Sequence, residues 1–442
     1  MSKKIIVAGA GHGGIAAAAI LAKNGFDVTV YEKNKRKDVG YDWTDIFDRK
    51  AFTAIGMDVP DESKWSLKQD MTFFGPGMGI ALRQHTPEDQ LEIQMERKTI
   101  YDCLISYAEE CGVKFEFGKP VDGPLMLGNR VAGVKIGKKD IFADLVIDGC
   151  GINSPLRMNL PEHLGIQKEA QEFERFYVWR GFYEKVDCGE VEDKFKVILF
   201  HKGKLGISWV AAEEEHTDIL IGRFAPLDEE EVERTLDALR EENPHLGKKL
   251  VRGGEFVEIP VRQPLGVLVA DGYAAIGDSA FMTVPIIGSG IANSMKAAAI
   301  LADAVIGDKT ESYSASTLWK YQTEFYNKIG SALAPLACVK LLLTRLTCDE
   351  LDYIFEKGIL NAEDMTIGAD STSLGAMLGG MSLDDIKIKV GGLINNTDVL
   401  KKIIKLGTDI VATTAVTSAM PKEYNLKKVC SWVKKYNKCF KR

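Results

Sequence analysis

The spacing of apolar and polar residues changes period several times along the chain, and each change marks an element. Residues 5–8 are an unbroken apolar run, residues 15–22 are small or apolar throughout, and residues 27–32 alternate around Val28 and Val30. A short apolar run closed by glycines predicts a buried strand, the Ala-rich stretch a helix, and the alternating stretch a second strand. Apolar spacing over 43–55 predicts a helix-like segment, and 71–74 and 91–94 read as short strands. Ile100, Leu104, Ile105 and Ala108 share one face of a helix opened by Arg97. Segments 113–117, 130–136 and 139–143 alternate as strands, with Gly128-Asn129 and Gly137-Lys138 as turn pairs, and 145–147 is another buried run.

From about residue 170 the pattern becomes aromatic and strand-like, over 176–183, 195–200, 206–211 and 217–224. An acidic helix is expected over 229–242, a further strand over 256–262, and a buried strand at 273–276 ending in Gly277-Asp278. A Pro/Gly loop at 285–290 then leads into a long helix from Ile291. Beyond Tyr313 the period is helical, broken by glycines near 367–380 and 391–392.

The first turn carries chemistry. Gly9-Ala10-Gly11-His12-Gly13-Gly14 joins the first strand to the first helix, and Glu32 closes the second strand. A dinucleotide needs these parts in this order. Gly9 allows the tight turn, Gly11 admits the pyrophosphate to the backbone, and Gly14 lets helix pack on strand. Helix-start amides then face the phosphates. Glu32 can accept a ribose 2′-OH and would repel a 2′-phosphate, which favours FAD or NAD over NADP.

Composition bounds the rest. At 442 residues, 45% hydrophobic and 27% charged, the chain is a globular protein of two or three structural regions. The first strand starts by residue 5, which leaves no room for a signal peptide within this sequence, and the apolar stretch at 329–339 is too short to span a bilayer. Eight scattered cysteines without a CxxC pair predict neither a disulfide framework nor a metal site, and a cytoplasmic location. The net charge of −7 conceals a basic end: residues 401–442 hold eleven Lys/Arg against Asp409 and Glu423, a local balance of +9. The acidic remainder excludes nucleic-acid binding.

Three further segments extend the opening motif. They are Arg97 at a helix head, residues 148–157 (Asp-Gly-Cys-Gly-Ile-Asn-Ser-Pro-Leu-Arg), and Gly277-Asp278-Ser279-Ala280 followed by Pro285 to Ile291. A Gly-Asp at a strand end offers a carboxylate to ribityl hydroxyls. A glycine loop opening a helix brings amides to a flavin pyrimidine, where reduction places negative charge. On these residues the chain resembles the flavoproteins that include p-hydroxybenzoate hydroxylase, and within them the geranylgeranyl reductase branch, over residues 1–305. The run Ile259-Pro260-Val261-Arg262-Gln263-Pro264-Leu265 carries the resemblance to that branch, as does the long helical end. The chain departs from the group at Cys150, which stands where an Asp is usual and argues against direct reduction by NAD(P)H. It departs again at residues 40–45, which lack the Cys-Gly pair of archaeal members.

The resemblance implies an α/β fold, α+β overall. A Rossmann-type FAD-binding domain of the glutathione-reductase class (1–60, 97–165 and 265–310) is interrupted by a mixed β-sheet substrate domain (61–96 and 166–264). A C-terminal helical region with a basic tail (311–442) follows. It implies FAD contacts from Gly9, Gly11, His12, Gly13, Gly14, Glu32, Lys33, Arg97, Val121, Asp278, Pro285, Gly288, Gly290 and Ile291. The implied reaction is hydride transfer from reduced FAD to a C=C bond of an isoprenoid, lipophilic or activated substrate. An external donor (ferredoxin, flavodoxin or NAD(P)H) supplies electrons. A flavin monooxygenase acting on an aromatic or polycyclic substrate is one alternative, and a non-catalytic flavin-binding lipid carrier or sensor is another.

Several residues carry two readings each. Trp43, Trp179, Trp209 and Phe281 either line a substrate pocket or fill a core; Trp209 and Phe281 are the better placed. Asp45 is the candidate proton donor, or else pairs with Arg49 one helical turn away. His12 and His201 are structural unless the site uses them, and Cys150 is a packing residue unless it is redox active. Leu426, Val429, Cys430, Val433, Tyr436 and Phe440 make one face of a lysine-rich helix that packs on the acidic body or lies peripherally on an anionic membrane.

Overall fold

The computed structural model describes residues 2–364, 389 and 391–441; the glycines expected to break helices at 367–380 lie outside them. The opening strand Lys4–Ala8 sits inside a six-stranded sheet, between Asp27–Glu32 and Leu145–Asp148. Lys114–Phe117 and Tyr273–Ala275 extend it on either side in parallel, and Val269–Ala270 closes one edge antiparallel. Strands buried on both faces need continuous apolar sequence, and Ile5, Ile6, Val7 and Ala8 supply it. The helices His12–Lys23 and Ile291–Ile306 pack together beside this sheet, where a Cβ on Gly13 would meet Ser294 O at 2.9 Å.

A second, seven-stranded sheet runs in the order Leu246–Pro260, Arg175–Lys185, His216–Arg223, Gly206–Ala212, Phe195–Leu199, Thr72–Phe74, Ala81–Arg83. It is antiparallel except where Phe195–Leu199 meets Thr72–Phe74. One face packs Trp179, Ile198, Ile219 and Ile221 against Val232, Leu236 and Leu239 of the helix Glu229–Glu242. The other face turns toward the first sheet. A small sheet of Thr44–Phe47, Ile93–Glu96 and Ser66–Leu67 stands between the two, and a three-stranded meander spans Gly123–Phe142.

Residues 43–55 differ from the helix expected there. They form the strand Thr44–Phe47 and a short helix, Lys50–Ala54. Thr44 and Phe47 are buried by pairing with Ile93–Glu96, so tertiary pairing overrides the local spacing.

The C-terminal helices join the first core and add to it. Trp319, Tyr326, Val429, Trp432, Val433, Tyr436 and Phe440 are continuous with the apolar interior of the six-stranded sheet. Trp432 Nε1 donates to Val416 O (2.7 Å) and Tyr436 OH to Pro264 O (3.2 Å). The apolar face of the helix Leu426–Lys438 is therefore spent on the body, each large side chain contributing roughly 1.5–3 kcal/mol. This is the packing alternative for that face, and Lys427, Lys428, Lys434, Lys435 and Lys438 point outward. No single helix among the described residues is long and apolar enough to cross a bilayer, and the bent pair that passes by composition, Ala315–Leu343 with Cys348–Glu356, holds core residues such as Leu318, Leu333 and Leu336.

Candidate cofactor and substrate site

The glycine turn is shaped by contacts that leave no room for side chains. Gly9 lies at φ +84°, and a Cβ there would come within 2.6 Å of Gly149 O. Gly11 would meet the same oxygen at 3.1 Å, and Gly14 would meet Gly9 O at 3.0 Å. Glu32 braces the turn: its Oε2 accepts from Ala10 N–H (2.8 Å) and its Oε1 from Asn34 N–H (2.8 Å). Each oxygen keeps a lone pair for a hydroxyl. Lys119 N–H donates to Glu32 O (2.8 Å), which brings the loop carrying buried Val121 alongside, whereas Lys33 is exposed.

The distant Gly-Asp segment folds back to the same place. Gly290 caps the helix Ile291–Ile306, and a Cβ on it would lie 3.6 Å from Asp278 Oδ1. Thr283 Oγ1 donates to that oxygen at 2.9 Å. Burial raises the Asp278 carboxyl pKa, against the pull of Thr283, Arg97 and Arg157. Gly288, at φ +74°, would touch Ile259 of the second sheet at 3.8 Å. Pro285 and Ile291 are buried and shape this loop from within. A clasp holds it in place. Asp148 is fully buried and accepts from Ser154 Oγ (2.6 Å), Tyr273 OH (2.7 Å), Ser279 Oγ (3.0 Å) and Cys150 N–H (3.1 Å). Arg157, also fully buried, donates to Ser279 O at 2.6 Å. Residues 148–157 thus position the Asp278 turn, and Cys150 is part of that packing.

Two helices of twelve and sixteen residues begin in this cradle, each with a glycine N-cap and no side-chain cap. Asp228, Ser314, Thr347, Asn396 and Asn425 cap other helices with side chains, while Arg97–Glu110, which also starts beside the cradle, has none. Uncapped amides call for an anionic or electron-rich ligand. His12 adds an orphaned donor or acceptor: its Nε2 is buried without a partner, and its ring stacks on Tyr101 at 4.4 Å. Burial, helped by the charge of Arg97, lowers its pKa to about 3, so the ring is neutral. The backbone cradle, two carboxylates set for hydroxyls and two open helix starts fit FAD.

Beside the cradle lies a patch of different chemistry. Trp43, Val178 and Leu220 are buried together, with Tyr41, Phe176, Ile207, Trp209, Val257 and Ile259 around them. Strand register explains the grouping: Trp209 pairs with Leu220, Val178 with Val257, and Phe176 with Ile259, so these side chains share the inward face. Gly222 leaves space for the Phe176 ring, which a Cβ would approach to 2.2 Å. Arg180 crosses this face. Its Nε and Nη2 donate to Asp218 (2.9 and 2.6 Å), and its Nη1 donates to Thr44 O (2.6 Å).

Several expected residues stand elsewhere. Asp45 is on a strand and pairs bidentately with Arg97 (2.5 and 2.6 Å), not with Arg49, which lies over Trp65. Arg97 stacks on Tyr41 at 3.9 Å. Phe281 is fully buried between Arg157 and Arg262 (4.6 and 4.5 Å), away from any substrate face. Trp179 faces the helix Glu229–Glu242 on the opposite side of the sheet. His201 bridges Ser208 Oγ (3.1 Å) and Glu242 Oε2 (3.0 Å) inside that sheet. Sequence reasoning missed Tyr41, Tyr101, Arg180 and Asp218; an arginine at an inward position of an otherwise apolar strand was the available signal.

Residues 7–54 match the family model described as an NAD(P)-binding Rossmann-like domain. The chain is 25% identical over 411 residues to the digeranylgeranylglycerophospholipid reductase of Haloferax volcanii, covering 87% of this chain and 96% of that one. Its fold is similar to that of a geranylgeranyl bacteriochlorophyll reductase-like protein from Thermoplasma acidophilum, with a TM-score of 0.74, 19% identity, and coverage of 92% and 99% of the two chains. PqsL, a probable FAD-dependent monooxygenase from Pseudomonas aeruginosa, is similar at a TM-score of 0.59 and 17% identity, over 80% of this chain and 100% of that one. By sequence and fold together, the chain is an FAD-dependent oxidoreductase that is similar to the geranylgeranyl reductases.

Proposed function

We propose that the protein saturates C=C bonds of an isoprenoid substrate. The observation that carries this reading is the apolar, aromatic face of Trp43, Trp209, Phe176, Val178, Leu220 and Ile259 set directly against the flavin loop at Gly288. FAD, when bound, supplies the hydride. Gly9, Gly11, Glu32, Asp278 and Gly290 would hold it, and the open start of the helix Ile291–Ile306 would favour electron density beside it. The aromatic face excludes water and holds a hydrocarbon chain by burial.

A proton must also arrive. Asp45 has both oxygens engaged by Arg97, which leaves neither turned to a substrate. Tyr41 borders the same face, packs edge-on to Trp43 at 4.7 Å, and is kept protonated because burial raises its pKa. Its hydroxyl is the proposed proton donor to the alkene carbon that does not take the hydride, and solvent restores its proton after turnover. Electrons come from an external donor.

Anaerobic, dithionite-reduced holoprotein is expected to be reoxidised by a prenyl substrate, giving a product two mass units heavier per bond. Oxygen consumption with NAD(P)H and a hydroxylated product would instead establish the monooxygenase reading. Tyr41→Phe is expected to slow reoxidation by roughly 10²-fold or more while leaving FAD content unchanged.

A further inference from the structure

The apolar face contains two polar atoms with nothing to bond. The indole nitrogens of Trp43 and Trp209 are both buried, and neither has a hydrogen-bond partner. Trp43 is only 3% exposed. The two rings flank one guanidinium, with Arg180 Cζ 5.6 Å from the Trp43 ring and 4.9 Å from the Trp209 ring. They arrive from opposite walls, the strand Thr44–Phe47 with its preceding residue and the strand Gly206–Ala212.

Indole N–H is a donor only, and a buried donor without an acceptor is costly. Phenylalanine would fill the same apolar face without that cost. Two orphaned donors in one patch therefore call for acceptors that the protein does not supply. The charge on those acceptors is also constrained. Arg180 already gives Nε and Nη2 to Asp218 and Nη1 to Thr44 O, and Arg97 is held by Asp45. Neither cation is left to neutralise a buried anion, and an uncompensated charge in this apolar setting is strongly disfavoured.

We propose that the indole N–H groups of Trp43 and Trp209 select isoprenoids carrying a neutral acceptor oxygen, such as a carbonyl or ether, over pure hydrocarbons and over prenyl carboxylates. This rests on the isoprenoid reading of the same face and adds its polar specificity. Trp43 and Trp209 are specificity-determining residues that hold the oxygen, and the apolar neighbours hold the chain.

The test is equilibrium dialysis of the FAD-loaded protein with three probes of matched length: geranylacetone, the hydrocarbon in which a methylene replaces its carbonyl, and the corresponding carboxylate. The ketone is expected to bind about tenfold more tightly than the hydrocarbon, as one or two modest hydrogen bonds provide, and the carboxylate more weakly than the ketone. The paired variant Trp43→Phe/Trp209→Phe should bring the ketone-to-hydrocarbon ratio close to one, whatever its effect on the two affinities together. Indole ¹⁵N–¹H resonances of the unmodified holoprotein give a second measurement that needs no variant, and should move downfield with ketone but not with hydrocarbon. Equal binding of ketone and hydrocarbon, with unmoved indole resonances, would overturn the proposal and leave the isoprenoid reading intact. Failure of both to bind would overturn both.

Discussion

The cofactor cradle and the aromatic face lie side by side but are built by opposite means. The cradle is made of backbone: glycines at 9, 11, 14 and 290, amides at two helix starts, and two carboxylates that brace the turns. The face is made of side chains from distant segments, brought together by strand register and by the Arg180 bridge to Thr44. A backbone-built site tolerates no added atom and needs its turns clasped, as Asp148 and Arg157 clasp the turn at Ser279. A side-chain-built site tolerates exchange of apolar groups of similar volume, yet depends on the relative placement of two sheets.

Substitutions should separate the two. Gly9→Val has the largest expected effect: positive φ and the 2.6 Å approach to Gly149 O leave no place for the side chain, and FAD content should fall to nothing by flavin absorbance. Arg180→Met should come next, because it leaves Asp218 buried and unpaired. A loss of about 3–5 kcal/mol is expected in denaturant unfolding, and a protein that keeps its FAD affinity would show that the two regions are energetically separate. Asp278→Asn should act on the cradle alone, weakening FAD by roughly tenfold to a hundredfold with little change in prenyl-probe binding.

Acid should also distinguish them. His12 is held neutral in the fold with a pKa of about 3, against about 6.5 when unfolded. Below about pH 6.5 the unfolded chain takes up a proton that the folded chain refuses, so stability falls as pH drops toward 3. In FAD-free protein, His12→Gln should flatten the decline of melting temperature across that window. The smallest effect is expected from Lys434→Glu/Lys435→Glu. Both lysines are exposed on a helix whose apolar side is already packed, so melting temperature and FAD content should stay unchanged.

Legibility in the sequence follows the same division. The turn at Gly9 and the acid at Glu32 lie within one strand-helix-strand unit, and the spacing of their residues reflects local geometry. Asp45 shows the opposite case. Its i, i+4 partner was visible as Arg49, but the segment is a strand, and its true partner, Arg97, is 52 residues away. Phe281 was misplaced for a similar reason: its neighbours in sequence belong to the cradle, while its ring lies between arginines from two other segments. The C-terminal helix is legible as amphipathic, but its pattern does not say what its apolar face meets; Tyr326 and Pro264, both distant in sequence, pack against Tyr436.

The sequence by itself determined the elements, the glycine turn and the residues able to face a dinucleotide, because these depend on local spacing and on the conformations a backbone can adopt. Only the tertiary structure decided which aromatic rings share a face, which carboxylate Arg97 takes, and which indoles are left without partners. Those outcomes depend on register and on contacts between segments far apart in the chain, and local period carries no record of them.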